Sequence, residues 1–124
     1  MVGLVDDSTM DAALNEIKNN VTERYICTGT PATRAAAISA SLATMTGLSG
    51  SSFSGPAAGD TNGRKLTKTA ETGDGIDASG TAASICYCTA SLMLWRVDVS
   101  PTQGLTSGGT VDTNAHDHEI ADAT

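Results

Sequence analysis

Two pairs of residues are spaced so that metal chemistry could follow: Cys86-x-Cys88 and His116-x-His118. Side chains at i and i+2 of a strand point to the same face. If the two strands were neighbours with those faces matched, two thiolates and two imidazoles would surround a zinc ion tetrahedrally. Structural zinc sites usually leave about two to four residues between cysteines, so one intervening residue is tighter than the common pattern. Small cysteines are frequent core residues, and histidines near a terminus are usually exposed. That plainer reading is preferred, and no residue is assigned as a metal ligand.

Catalytic arrangements have less to support them. A Cys/His nucleophile needs a thiol activated by a neighbouring base or positive charge, and nothing in the sequence pairs Cys88 with His116. Serines and aspartates are plentiful, yet there is no G-x-S-x-G elbow to present a nucleophile. Gly73-Asp74-Gly75-Ile76-Asp77 faintly resembles a calcium loop but lacks the alternating ligands and terminal Glu, so it reads as an acidic turn. The run from Gly104 to Gly109 lacks the lysine and following helix of a phosphate loop. No catalytic or cofactor-binding residue is assigned, no cofactor is expected, and the chain is read as not an enzyme.

The elements that must position these residues are built from modest material. The chain has 124 residues, with one Phe, one Trp and two Tyr. This length suits a single β-rich domain over residues 1–124. Ala, Thr, Ser and Gly dominate, favouring strands and the turns between them. A core poor in aromatics gains from burying further surface between copies, so self-association is expected.

Seven basic and fourteen acidic residues give a formal charge of −7. Phosphate backbones repel such a chain, so no nucleic-acid partner is expected. Asp98, Asp112, Asp117, Glu119 and Asp122 follow Arg96 with no further Lys or Arg. They read as a solvated tail in preference to a docking surface for a basic partner. Arg64, Lys65 and Lys68 form the only basic cluster. Arg64 and Lys68 should share a strand face, with Lys65 opposite. Pairing with the molecule's own acids is slightly preferred to an intersubunit bridge. No cationic, apolar leader opens the sequence and no apolar run approaches ~18 residues, so no export signal and no membrane partner are expected. Three cysteines without such a signal read as reduced thiols.

Met10, Ala13, Leu14, Ile17 and Val21 recur at helical spacing, predicting an amphipathic helix over residues 9–20 with Ser8 as its N-cap. Packing of this stripe on the chain's own sheet is preferred to docking on a partner. Residues 24–28 predict a strand. Residues 34–45 are ambiguous between helix and strand. The Gly/Ser/Pro-rich residues 47–60 read as a connection that has a job or conceals a strand. Asn62-Gly63 signals a type I′ hairpin turn. A strand follows over 64–70, then a turn at Gly73-Asp74-Gly75. Further strands fall at 82–89 and 92–99, the latter broken by Pro101 and Gly104. Residues 110–120 supply a strand pair or one long strand. Short strands at this spacing predict a mainly β fold, a small antiparallel β-sandwich or barrel with one N-terminal amphipathic helix.

Several phrases in this order also carry a resemblance. They are Asp11-Ala12-Ala13-Leu14-Asn15-Glu16-Ile17-Lys18-Asn19-Asn20, Gly59-Asp60-Thr61-Asn62-Gly63-Arg64-Lys65-Leu66-Thr67 and Ile76-Asp77-Ala78-Ser79-Gly80-Thr81-Ala82. Leu105-Thr106-Ser107-Gly108-Gly109-Thr110-Val111 and His118-Glu119-Ile120-Ala121-Asp122-Ala123-Thr124 close the series. Together the chain resembles small structural virion proteins of tailed bacteriophages and prophages of Gram-negative bacteria. Where similar chains tend to carry Val, Leu or Trp, this one has Cys86, Cys88, His116 and His118. The resemblance implies a capsid decoration (cement) protein, made in the host cytoplasm and placed on the capsid exterior of the virion. Its implied partners are the major capsid protein of the phage head and other copies of itself, with a trimer as first guess. A tail, fibre or baseplate component is the alternative within the particle. A zinc-stabilised binding module is the alternative from another class.

Overall fold

The computed structural model describes residues 4–122. It is mainly β, with every strand pair antiparallel and one main N-terminal helix, the expected class. The chain divides into two compact units, each discontinuous in sequence. The first comprises the N-terminal segment up to Asn20, Ser49–Ala70 and the segment from Asn114 onward; the second comprises Val21–Leu48 and Glu71–Thr113.

In the first unit, helix α1 (Asp7–Asn20) buries Met10, Leu14 and Ile17, as the spacing predicts, while Ala13 is exposed. Its cap is Asp6, not Ser8. The Asp6 carboxylate accepts the Ser8 N–H at 2.9 Å, and its carbonyl accepts from Thr9 at 3.0 Å. A carboxylate at this end also meets the positive pole of the helix dipole.

This unit's sheet has the order β3-β4-β9. The connection over 47–60 conceals a 3₁₀ turn, Gly50–Ser52, and strand β3 (Phe53–Ala58). Strand β4 (Arg64–Lys68) pairs with β3 on one side and β9 (His116–Ile120) on the other. The hairpin between β3 and β4 is not the two-residue type I′ turn. It closes over a longer loop in which Gly59 N–H donates to Gly63 O at 2.9 Å. Only Gly63 adopts positive φ near Asn62, at +70°. A Cβ at Gly63 would collide with the Ile120 carbonyl, so glycine is required there. Helix α1 packs on β3 and β4, where Phe53 and Leu66 are buried.

The second unit holds a four-stranded sheet, β2-β1-β6-β7, made from β1 (Glu23–Cys27), β2 (Ser41–Thr46), β6 (Gly80–Cys88) and β7 (Met93–Leu105). The ambiguous stretch 34–45 divides into helix α2 (Arg34–Ser39) and then β2. Thr33 caps the start of α2 by accepting the Ala36 N–H at 3.1 Å. Strand β7 runs through Pro101 and Gly104 instead of ending before them. It is an edge strand, and its pairing with β6 is interrupted between Ala82 and Ser84, opposite the proline. An edge bulge is where a residue without an N–H is tolerated.

Gly73-Asp74-Gly75 is likewise not a turn but part of strand β5 (Glu71–Gly75), bulged between Glu71 and Asp74. Strand β5 pairs with β8 (Thr110–Thr113) in a separate ribbon. Residues 110–120 therefore give two strands, β8 and β9, that join different sheets. Among the described residues no helix is long and apolar enough to cross a membrane.

Candidate functional site

Strand β6 places Cys86 and Cys88 between β1 and β7, whereas β9 places His116 and His118 beside β4. The neighbouring strands needed to combine them as zinc ligands are thus different in each case. Among the described residues no group of three or more His, Cys, Asp or Glu is arranged to hold a metal ion.

The structure instead brings Cys86 and Cys88 together with Cys27. Register sets Tyr25 opposite Cys86 and Cys27 opposite Ser84, and alternation puts all these side chains on one face. Helix α2 packs over that face and contributes Ala37 to a buried cluster with Tyr25, Cys27, Cys86 and Cys88. The three cysteines are free thiols with no exposed surface. Cys27 Sγ donates to Ala37 O at 3.3 Å, tying the strand to the helix. Interaction with Cys86, then burial, raises the Cys27 pKa, while interaction with Cys27 draws Cys86 down against its own burial. Burial pushes Cys88 up to about 11. All three thiols are buried, whereas an activated nucleophilic cysteine is ordinarily at least partly exposed.

A bidentate ion pair closes the rim of this cluster. Arg34, at the start of α2, donates to Glu23 at 3.0 and 3.1 Å, and Tyr25 Oη donates to the same carboxylate at 2.7 Å. The hydrogen bond from Arg34 holds Glu23 below the usual carboxylate range. Burial first, then the Glu23 bond, pushes Tyr25 up to about 12.

The opposite face of the sheet carries Arg24, fully buried, whose guanidinium binds both Glu71 and Asp74 of β5. Thr113 of β8 adds an acceptor at 3.4 Å, while Arg24 Nε is left without a hydrogen-bond partner. On this side Tyr87 stacks on Trp95 with ring centroids 4.7 Å apart. The strand expected over residues 24–28 is consistent with Arg24 and Ile26 sharing a face, but the carboxylates that Arg24 binds lie 47 and 50 residues away.

The basic cluster separates as alternation predicts. Arg64 pairs with Asp11 of α1 at 2.7 Å; Lys65 pairs with Asp60 at 2.7 Å and with Asp117 at 3.5 Å. Lys68 is buried and donates to Thr69 O at 2.9 Å. The remaining cations are also engaged within their own units. Lys18 donates to Gly55 O at 2.7 Å, and Arg96 donates to Pro31 O at 3.0 Å. Arg96 also pairs with Asp98 at 3.7 Å, and exposed acids remain at Asp7, Glu16, Asp77, Asp112, Glu119 and Asp122.

A shallow cleft of about 450 Å³ in the second unit is lined by Ile76, Gln103, Leu105 and Val111, with Asp112 as its one titratable lining residue. That carboxylate already accepts the Gly73 N–H at 2.8 Å. A lone carboxylate supplies no acid–base pair within this cleft. Comparison of the chain with protein-family models, curated proteins and solved structures finds no match.

Proposed function

We propose that the chain is a non-catalytic structural protein of a tailed-phage particle, a decoration protein that binds the outside of the assembled head. It bridges neighbouring major capsid subunits, and copies associate with one another, as a trimer in the first instance. The observation that supports this best is the fate of charge. All seven basic side chains make bonds within their own unit, while exposed carboxylates remain in a chain of net charge −7. Such a surface suits a partner lattice with a basic outer face and disfavours nucleic acid. Burial of the thiols in the fold is in keeping with a structural role.

A ligand that prefers the assembled shell over loose subunits stabilises the shell by mass action. Co-sedimentation of the purified protein with empty heads tests this. Binding should saturate at a fixed ratio to the major capsid protein and weaken as salt is raised. Equal binding to loose capsid subunits, or none to heads, would contradict the proposal.

A further inference from the structure

The Asn62-Gly63 pair, which does not form the expected tight turn, sits where its own chemistry has a structural outlet. Asn62 is exposed in the loop joining β3 to β4. Its Oδ1 accepts the Asp122 N–H at 3.1 Å, so a backbone donor already polarises the side-chain amide. A donor at that oxygen stabilises the negative charge that develops there when a nucleophile adds to Cγ. The following residue, Gly63, has no Cβ to hinder its backbone nitrogen.

We infer that Asn62 is a self-modification site, at which slow deamidation through a cyclic imide loosens the adjoining end of the β4–β9 pairing. Hydroxide removes the Gly63 N–H proton and the nitrogen attacks Asn62 Cγ. The N–Cγ bond forms, the Cγ–Nδ2 bond breaks, and Nδ2 leaves as ammonia after taking up a proton. Water then opens the succinimide. Attack at one carbonyl leaves an ordinary aspartate at position 62; attack at the other leaves an isoaspartate, whose backbone is one atom longer.

Either product adds a negative charge near Asp60, Glu119 and Asp122. The loop is already acidic, since the Glu119 carboxylate accepts the Asp60 N–H at 2.6 Å. The longer backbone matters more. The loop closes through the Gly59-to-Gly63 bond, and Gly63 packs so tightly on the Ile120 carbonyl that not even a Cβ fits. An additional main-chain atom there disrupts the loop and the Arg64–Ile120 end of the β4–β9 ladder.

Other candidates in the chain are held differently. Asn15, Asn19 and Asn20 lie in α1, Asn114 precedes an alanine, and Asp74 of Asp74-Gly75 is bound by Arg24. The full-length protein is therefore incubated at mildly alkaline pH, with an acidic control, and followed by peptide mapping and released ammonia. The expected result is conversion first at Asn62, mainly to isoaspartate, with one ammonia per converted chain and faster amide exchange at Arg64 and Ile120 in that fraction. The Asn62→Gln protein, whose longer side chain does not favour the ring, should release no early ammonia. The Asn62→Asp protein should keep the Ile120 protection, separating charge from backbone length. Conversion at another asparagine first, an unchanged Asn62, or unaltered exchange in the isoaspartate fraction would overturn the inference.

Discussion

Both units cover a β-sheet, and they use opposite means to do it. In the first, α1 covers β3 and β4 through Met10, Leu14 and Ile17, with the Arg64–Asp11 pair at the partly exposed rim. In the second, the β5–β8 ribbon is bound to the sheet through Arg24, which is buried between two carboxylates. Apolar cover is non-directional, so its strength follows the area removed from water. An ionic anchor is directional and costly to desolvate, and it specifies which strand sits where more than it adds stability. A ribbon bearing Thr72, Gly73 and Gly75 has little apolar surface to offer, which makes an ionic anchor the available means of attachment.

The comparison breaks most sharply at Arg24. Arg24→Met should cost about 3–5 kcal/mol in urea unfolding, because Glu71 and Asp74 are left without their counter-ion. Replacing all three by apolar residues should recover most of that loss, which a purely hydrophobic attachment does not predict. Leu14→Ala is next, at about 2–5 kcal/mol, the range for core truncation. If the same change leaves unfolding intact and weakens head binding instead, the stripe is a docking surface and the comparison fails.

Smaller effects sharpen the picture. Cys86→Ser should cost about 1–3 kcal/mol, since a hydroxyl among apolar neighbours needs a full hydrogen bond. In the native protein all three thiols should resist alkylation, and all three should react once it is unfolded. The smallest effect is electrostatic. Burial lowers His118 from its ordinary 6.5, so the unfolded chain binds the proton more readily. Its contribution is complete above pH 6.5 and is lost as pH falls through the lowered value. His118→Gln should flatten that slope, while the Glu23 contribution is lost only below about 4.5, as pH falls through its depressed value.

The sequence showed what local patterns can encode. The α1 stripe was legible because burial at 3.6-residue spacing is a property of neighbours in the chain. Its cap was misplaced because Asp6 and Ser8 are both good capping residues, and the bond itself decides between them. Strands β5 and β7 were obscured by Gly and Pro, which break strands unless a bulge or an edge accommodates them. The site was less accessible still. Cys86 and Cys88 were singled out, but their companion is Cys27, not the histidines. That follows from strand order and from the Tyr25–Cys86 register, which no local pattern states. The Arg24 anchor was hidden for the same reason.

The proposed role is tested most directly by counting copies of the chain in purified tailed-phage particles, the assembly to which the proposal assigns it. Quantitative peptide mass spectrometry gives that number against the major capsid protein. A head decoration protein should be present in hundreds of copies per particle, at a simple ratio to the capsid subunit. A dozen or fewer copies per virion, or none, would contradict the assignment; the former would move the chain to the tail or its connector.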